Sequence, residues 1–237
     1  MNLGSHAAVS PLVSFFARLA ARFVNVLLIC GLGFAALGFA SASAAPMGFK
    51  DSWMTMVDLG ANWRELGTNY AVSPRDAWGG STLFMRSDDQ TVTRNITEAT
   101  YTRLVQRWNL PEAQANVWFI GGLGRVTGND FSGSKTLASP GVQLDYETTR
   151  VYGSLLARAY RATGIRHDFV AARAGVSLYE VDYDEVQPWF VLEARRMQGL
   201  SDRTELTPML RLIHKRFFVE LGMNTAREAR FNLMLVF

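Results

Sequence analysis

Along most of this chain apolar and polar residues take alternate places. At its end Phe231, Leu233, Leu235 and Phe237 share one parity, against Arg230, Asn232, Met234 and Val236 on the other. The segment before it sets Phe217, Val219, Leu221 and Met223 opposite Arg216, Phe218, Glu220 and Gly222. Val170, Ala172, Ala174, Val176 and Leu178 oppose Phe169, Ala171, Arg173, Gly175, Ser177 and Tyr179, and Leu206, Pro208, Leu210 and Leu212 oppose Glu205, Thr207, Met209 and Arg211. Val142, Leu144 and Tyr146 stand against Gly141, Gln143, Asp145 and Glu147. Successive side chains leave a pleated backbone on opposite faces, so a period of two marks a half-buried strand. The pattern predicts strands over 51–58, 65–73, 76–87, 94–108, 114–126, 139–147, 150–162, 167–181, 186–197, 203–212, 215–223 and 228–237.

The first part of the chain reads differently. Residues 1–22 carry Arg18 and Arg22 and no acid, an apolar run follows from Phe23 to Ala40, and Ala42-Ser43-Ala44 precedes Ala45-Pro46. A basic start, an apolar middle and a small-residue Ala-x-Ala stop predict a secretory signal peptide cleaved after Ala44, leaving 45–237 as the mature domain. A single membrane anchor is the alternative, since the run approaches the length that spans a bilayer. Leu27-Leu28-Ile29-Cys30 has the outline of a lipoprotein signal, but bulky Ile29 stands where a small residue is needed. Removal of residues 1–44 from 237 leaves 193, without the one cysteine and with 22 basic against 21 acidic residues. A cysteine-free exported chain excludes disulfide staples and thiol catalysis. Near-neutral charge gives no footing for nucleic acid.

Period-two patterning fits a soluble β-sandwich, with its apolar faces inward, or a membrane barrel, with its apolar faces toward lipid. Export favours the barrel. So do the connections, since every second one is compact (73–76, 109–112, 148–149, 182–185, 213–215) while the polar linker 127–135 falls on the other side. The chain also ends in Phe237, with Leu235, Leu233 and Phe231 two, four and six positions before it. In this it resembles the bacterial outer-membrane β-barrel proteins. The resemblance implies an all-β, closed, antiparallel up-and-down barrel in a Gram-negative outer membrane. It implies that Phe231, Leu233, Leu235 and Phe237 form an assembly signal read by the barrel-assembly machinery. Periplasmic chaperones during biogenesis and outer-membrane lipid are then its partners.

A tilted membrane strand takes ~9–11 residues, so twelve strands leave about six residues for each connection. Ten strands is the second choice. Pro188 and Pro208 fall inside predicted strands, where a closed barrel has no free edge to hide a missing donor. Pro188 fits a strand start, and Pro208 predicts a bulge. The stretch from Arg94 to Trp108 alternates poorly, with Arg103 and Val105 on one parity.

The polar parity marks Glu65, Asn69, Gln143, Asp145, Glu147, Arg173, Glu193, Arg195, Glu205, Arg211, Arg216, Glu220 and Arg230 as lumen-lining residues. They could set the selectivity of a hydrophilic pore, or pair into a network that fills a narrow barrel. Trp53, Trp63, Trp78, Trp108, Trp189, Tyr70 and Tyr183 lie near strand ends, where they could form interfacial girdles. His167 and His214 read as exposed loop residues, and no serine-elbow spacing accompanies them. Met54-Thr55-Met56 puts two thioethers on one face, most simply as apolar lining. Gly121-Gly122-Leu123-Gly124 lies within a strand and lacks the lysine of a phosphate loop, so its glycines relieve crowding.

The expectation is a narrow porin-like passive channel for small solutes, not an enzyme, with no cofactor and no metal. A barrel enzyme acting on lipid or peptide around His167 is one alternative. A closed barrel with a structural or partner-binding role is the other.

Overall fold

The computed structural model describes residues 45–182, 184–201 and 203–237. Residues 1–44, read above as a signal peptide, and Tyr183, read as a girdle residue, lie outside the described residues. The strands are β1 (Trp53–Leu59), β2 (Trp63–Ala71), β3 (Asp76–Arg86), β4 (Thr93–Leu110), β5 (Ala113–Gly128), β6 (Lys135–Ala138), β7 (Gly141–Glu147), β8 (Val151–Ala162), β9 (Ile165–Ser177), β10 (Gln187–Gln198), β11 (Glu205–His214), β12 (Phe217–Met223) and β13 (Ala229–Val236). They form one antiparallel sheet that closes where β1 pairs with β13, from Met54↔Val236 to Leu59↔Phe231. Trp53 N donates to Phe237 O at 2.7 Å and Phe237 N returns a bond to Trp53 O at 2.9 Å, which clasps the seam. Closure satisfies every strand edge from within, the condition a sheet must meet in hydrocarbon.

β6 and β7 are halves of a single stave, for both pair with β5 and with β8. The break falls at Ser139-Pro140, where proline has no N–H for the ladder. Ser139 N bonds Gly122 O at 2.9 Å and Ala159 N bonds Pro140 O at 2.8 Å, keeping the halves in line. The barrel therefore has twelve staves, and the two-sheet sandwich is excluded.

Most predicted boundaries agree with these strands to within a few residues. The sixth stave is longer, starting at Lys135, which shrinks the polar linker to 129–134. β9 is shorter and stops at Ser177, whose hydroxyl donates to Tyr179 O at 2.7 Å and turns the chain away. The connection 178–186 is consequently the longest, and it lies on the side expected to carry only compact turns.

Pro188 is the second residue of β10, as a strand-start proline should be. The bulge expected at Pro208 is absent. Register runs unbroken through Leu192↔Pro208, and the missing donor falls at the end of the β11–β12 ladder, between Met209↔Gly222 and a last bond from Thr225 N to Leu206 O at 3.0 Å. The one bulge in the pairing of β4 with β5 sits between Leu104 and Gln106. It reverses parity in the stretch that alternated poorly: Leu104 is buried inside, and beyond the extra residue Arg107 turns inward to bond Asn116 Oδ1 at 2.7 Å.

The outside is apolar, with Leu66, Leu123, Phe190, Leu210, Leu221 and others exposed. One row of aromatics crosses four strands in register, Trp53↔Tyr70↔Trp78↔Tyr101, with ring centroids 5.2 Å apart in the first pair and 4.6 Å in the last. Trp108 lies beyond it, also exposed. These residues ring the end that carries Phe237, hereafter the near end. Trp63 and Trp189 do not belong to a girdle, because their parity buries them inside the barrel.

The interior is more apolar than the alternation suggests. At the far end Trp63, Leu83, Met85, Ile96, Val126, Leu137, Tyr160, Phe169 and Met197 pack together. Toward the near end Tyr152, Trp189, Val191, Met209, Ile213 and Phe218 form a second cluster, and Met47, Ala71, Ala77, Leu104 and Trp118 a third. The hydrophobic content is thus divided between a coat and a partial filling.

Candidate functional site: the barrel interior

Two polar networks occupy the middle of the lumen. In the first, Glu98 on β4 accepts from Arg158 Nη2 at 2.5 Å, from Ser81 Oγ at 3.1 Å and from Ser139 Oγ. Arg158 stands on β8, so this pair reaches across the wall rather than along a ladder, and its Nη1 lies 3.9 Å from Glu65 Oε1. β5 passes close behind the cluster at Gly122, where a Cβ would run into the Glu98 carboxylate and Ser139 Oγ.

The second network follows β9 to β13 and β1. Arg173 Nη2 lies 2.6 Å from Glu193 Oε2 and its Nη1 lies 3.2 Å from Glu220 Oε2. Glu220 also accepts from Arg211 Nε and from Asn232 Nδ2, each at 2.8 Å. The Arg211 guanidinium is held between the rings of Tyr152 and Phe218, 4.3 and 4.6 Å from their centroids. Arg230 joins Glu193 at 3.1 Å to Asp58, and Arg195 Nε donates to Glu205 Oε2 at 2.7 Å. Charges this deeply buried persist only when paired, since an isolated ion would carry a desolvation cost of several kcal/mol.

Cavities lie in file along this charged wall. A far-end crevice of about 20 Å³, enough for a water molecule, separates Trp63, Phe169 and Met197 from Arg195, Arg203 and Glu205. The Trp63 and Phe169 rings stack there at 4.7 Å. Next comes a chamber of about 230 Å³, on which Asp58, Glu65 and Arg173 show partial exposure while Glu193 and Glu220 stay covered. A near-end vestibule of about 290 Å³ follows, lined by Met54, Ile213, Phe218, Met234 and Val236. At the far-end rim Asp130 lies in the connection 129–134, and hydrogen bonding from Arg94 holds its carboxyl below the usual range.

Of the lumen residues read from sequence, Glu65, Arg173, Glu193, Arg195, Glu205, Arg211, Glu220 and Arg230 meet in these networks or on the chamber. Asn69 faces inward and donates to Pro46 O at 3.2 Å. Gln143 lies near Asp145, which also accepts from Asn116 Nδ2 at 2.6 Å and Trp118 Nε1 at 2.7 Å, and Glu147 is buried. Arg216 stands apart from these networks, at the mouth of the near-end vestibule, which it lines beside Lys215. Lys215 turns the chain with φ 55°, which leaves Arg216 exposed in the 215–216 turn with its guanidinium 5.3 Å from the Phe49 ring centroid. Sequence reasoning missed Asp58, Glu98 and Arg158. Asp58 shares the inward parity of Met54 and Met56, whereas Glu98 sits in the strand whose bulge obscured its pattern.

His167 is not in a loop but buried on β9, and among the described residues neither ring nitrogen has a hydrogen-bond partner. Among the described residues no serine or carboxylate hydrogen-bonds it, as a hydrolytic site would require. His214 closes β11, with Nε2 3.2 Å from Asp184 O. Met54 and Met56 face the interior, and no group of His, Cys, Asp or Glu among the described residues is placed to hold a metal ion.

No protein-family model and no curated protein matches this chain. Among solved structures it is similar to the KdgM porin in complex with disordered oligogalacturonate, at 12% identity and a TM-score of 0.47 over 78% of this chain and 98% of that one. The translocator domain of the autotransporter NalP from Neisseria meningitidis is 10% identical, with a TM-score of 0.38 over 98% of each chain. OccK11 from Pseudomonas aeruginosa is 11% identical, with a TM-score of 0.36 over 77% of this chain and 62% of that one. Likeness at this level carries no argument about solute or role, and the strand count and closure rest on this chain's own hydrogen bonds.

Proposed function

We propose that the chain is an integral outer-membrane β-barrel forming a narrow, porin-like passage for small polar solutes, with no chemical step. The observation that carries this reading is the file of cavities running beside a charged wall inside a closed, externally apolar barrel. The near-end aromatic row suits a membrane–water interface, and the even number of staves, which brings both barrel termini to that end, supports reading it as the periplasmic one. Phe231, Leu233, Leu235 and Phe237 would then be presented to the assembly machinery, and residues 1–44 would direct export.

The charges a solute meets in the chamber are Asp58 and Glu65 against Arg173 and the less exposed Arg158, a balance of sign that favours little ion selectivity. Folded protein in a planar bilayer should give small current steps, and Glu65→Gln should move the reversal potential away from cations. Folded barrels that pass no current would overturn the passage. A second reading, a closed barrel with a structural role, is favoured by the Arg–carboxylate pairing and by the apolar cluster at the far end, and silence in that assay would select it.

A further inference from the structure

The segment before β1 does not leave the barrel directly. Ser52 N and Ser52 Oγ both donate to Phe49 O, at 3.1 and 2.6 Å, and Asp51 takes φ 63°, so the chain reverses over 49–52. Asp51 N to Ala71 O at 2.8 Å and Ala71 N to Ser52 O at 3.0 Å fasten this reversal to the end of β2. Residues 45–48 therefore run back inside. Met47 is 5% exposed, packed with Ala71, Ala77, Leu104 and Trp118 from β2 to β5, and Ala45 packs on the same cluster. Asn69 holds Pro46 O from the inner face of β2. Gly48 passes so near the wall that a Cβ would meet Ser52 Oγ and lie 3.0 Å from Val236 Cγ1.

This strap lies between the two larger cavities. Ala45 and Pro46 line the chamber, whereas Ala45, Met47, Gly48 and Phe49 line the vestibule. Among the described residues Ala45, Phe218 and Met234 border both, which places the strap at the partition between them.

We propose that Ala45–Met47 is an internal strap that forms the near-end constriction of the passage and sets the size of solute it admits, with Met47 as its anchor and Asn69 as its clasp. The proposal rests on the passage reading above. Its contacts are few: one hydrogen bond from Asn69 and one buried thioether hold the inner part, while the wall behind them is complete without it.

The test is a Met47→Asp/Asn69→Ala double variant of the full chain, compared with the parent in planar bilayers and in liposome swelling with sugars of graded size. A charge on Met47 cannot stay in the apolar cluster. Released from the wall, the strap should leave a conductance roughly twofold or more above the parent and a larger sugar cut-off. Pro46→Asp, which keeps the anchor, should instead shift the reversal potential toward cations, because its carboxylate would stand in the ion path. Parent-like conductance in a double variant that folds as the parent does overturns the strap and leaves the passage standing, as does an unmoved reversal potential in Pro46→Asp should the double variant not fold. Current from the released variant alone supports the strap as a complete plug and overturns the open passage. Silence from all three overturns the passage and the strap together.

Discussion

At the scale of single residues the interior is decided by who neutralises whom. Glu220 is fully buried and meets Arg211, Arg173 and Asn232, and Arg211 is itself buried between two rings. Glu220→Gln should leave Arg211 a buried cation without its anion, at a cost of about 3–5 kcal/mol, seen as a lower denaturant midpoint for the detergent-folded barrel. Replacing Arg211 and Glu220 together by Met and Leu should recover most of that loss, because the pair's own desolvation disappears with it. Parity alone marked both residues as inward. It could not distinguish Arg211, locked away from any solute, from Arg173, which reaches the chamber.

At the scale of elements the strands were legible because a pleated backbone repeats every two residues, and the stretch that failed to alternate proved to contain the bulge at Val105. The errors lie at strand ends and at prolines, where the outcome depends on what the neighbouring strand offers. Ser177 ends β9 through a side-chain bond that apolar spacing cannot reveal, and Pro208 needs no bulge because it falls at the end of its neighbour's ladder. In β5 the glycine-rich run is a packing device. Gly122→Ala would push a methyl group into Glu98 and Ser139, and should destabilise the barrel by about 1–3 kcal/mol in thermal unfolding. The solvent-facing tip residue Gly133, with nothing near it, is not the matching control, since its φ of 74° strains any other side chain.

For the whole molecule the seam between β1 and β13 turns a long antiparallel sheet into a barrel, and it separates folding from assembly. The seam holds Phe237 by its backbone N and O, which a side-chain change leaves intact, and the ring itself is exposed. If the terminal aromatic is an assembly signal, Phe237→Ser should refold in detergent as the parent does, yet insert more slowly into liposomes carrying the barrel-assembly machinery. Equal insertion rates would remove that role. Twelve staves also set the scale of the lumen, wider than the eight-stranded barrels that side chains fill and narrower than open porins, which is why charged pairs, apolar clusters and cavities share the interior.

By itself the sequence determined most of the strands and their inward and outward parities, because both follow from a repeat carried by neighbouring residues; the barrel class needed the order of the connections and the terminal Phe237 besides, since the same repeat suits a sandwich. The tertiary structure alone decided which inward side chains meet across the lumen, that Trp63 and Trp189 fill it, and that residues 45–48 return into it. Those outcomes depend on contacts between staves far apart in the chain, such as Arg158 with Glu98 or Met47 with Trp118, and no local period encodes them.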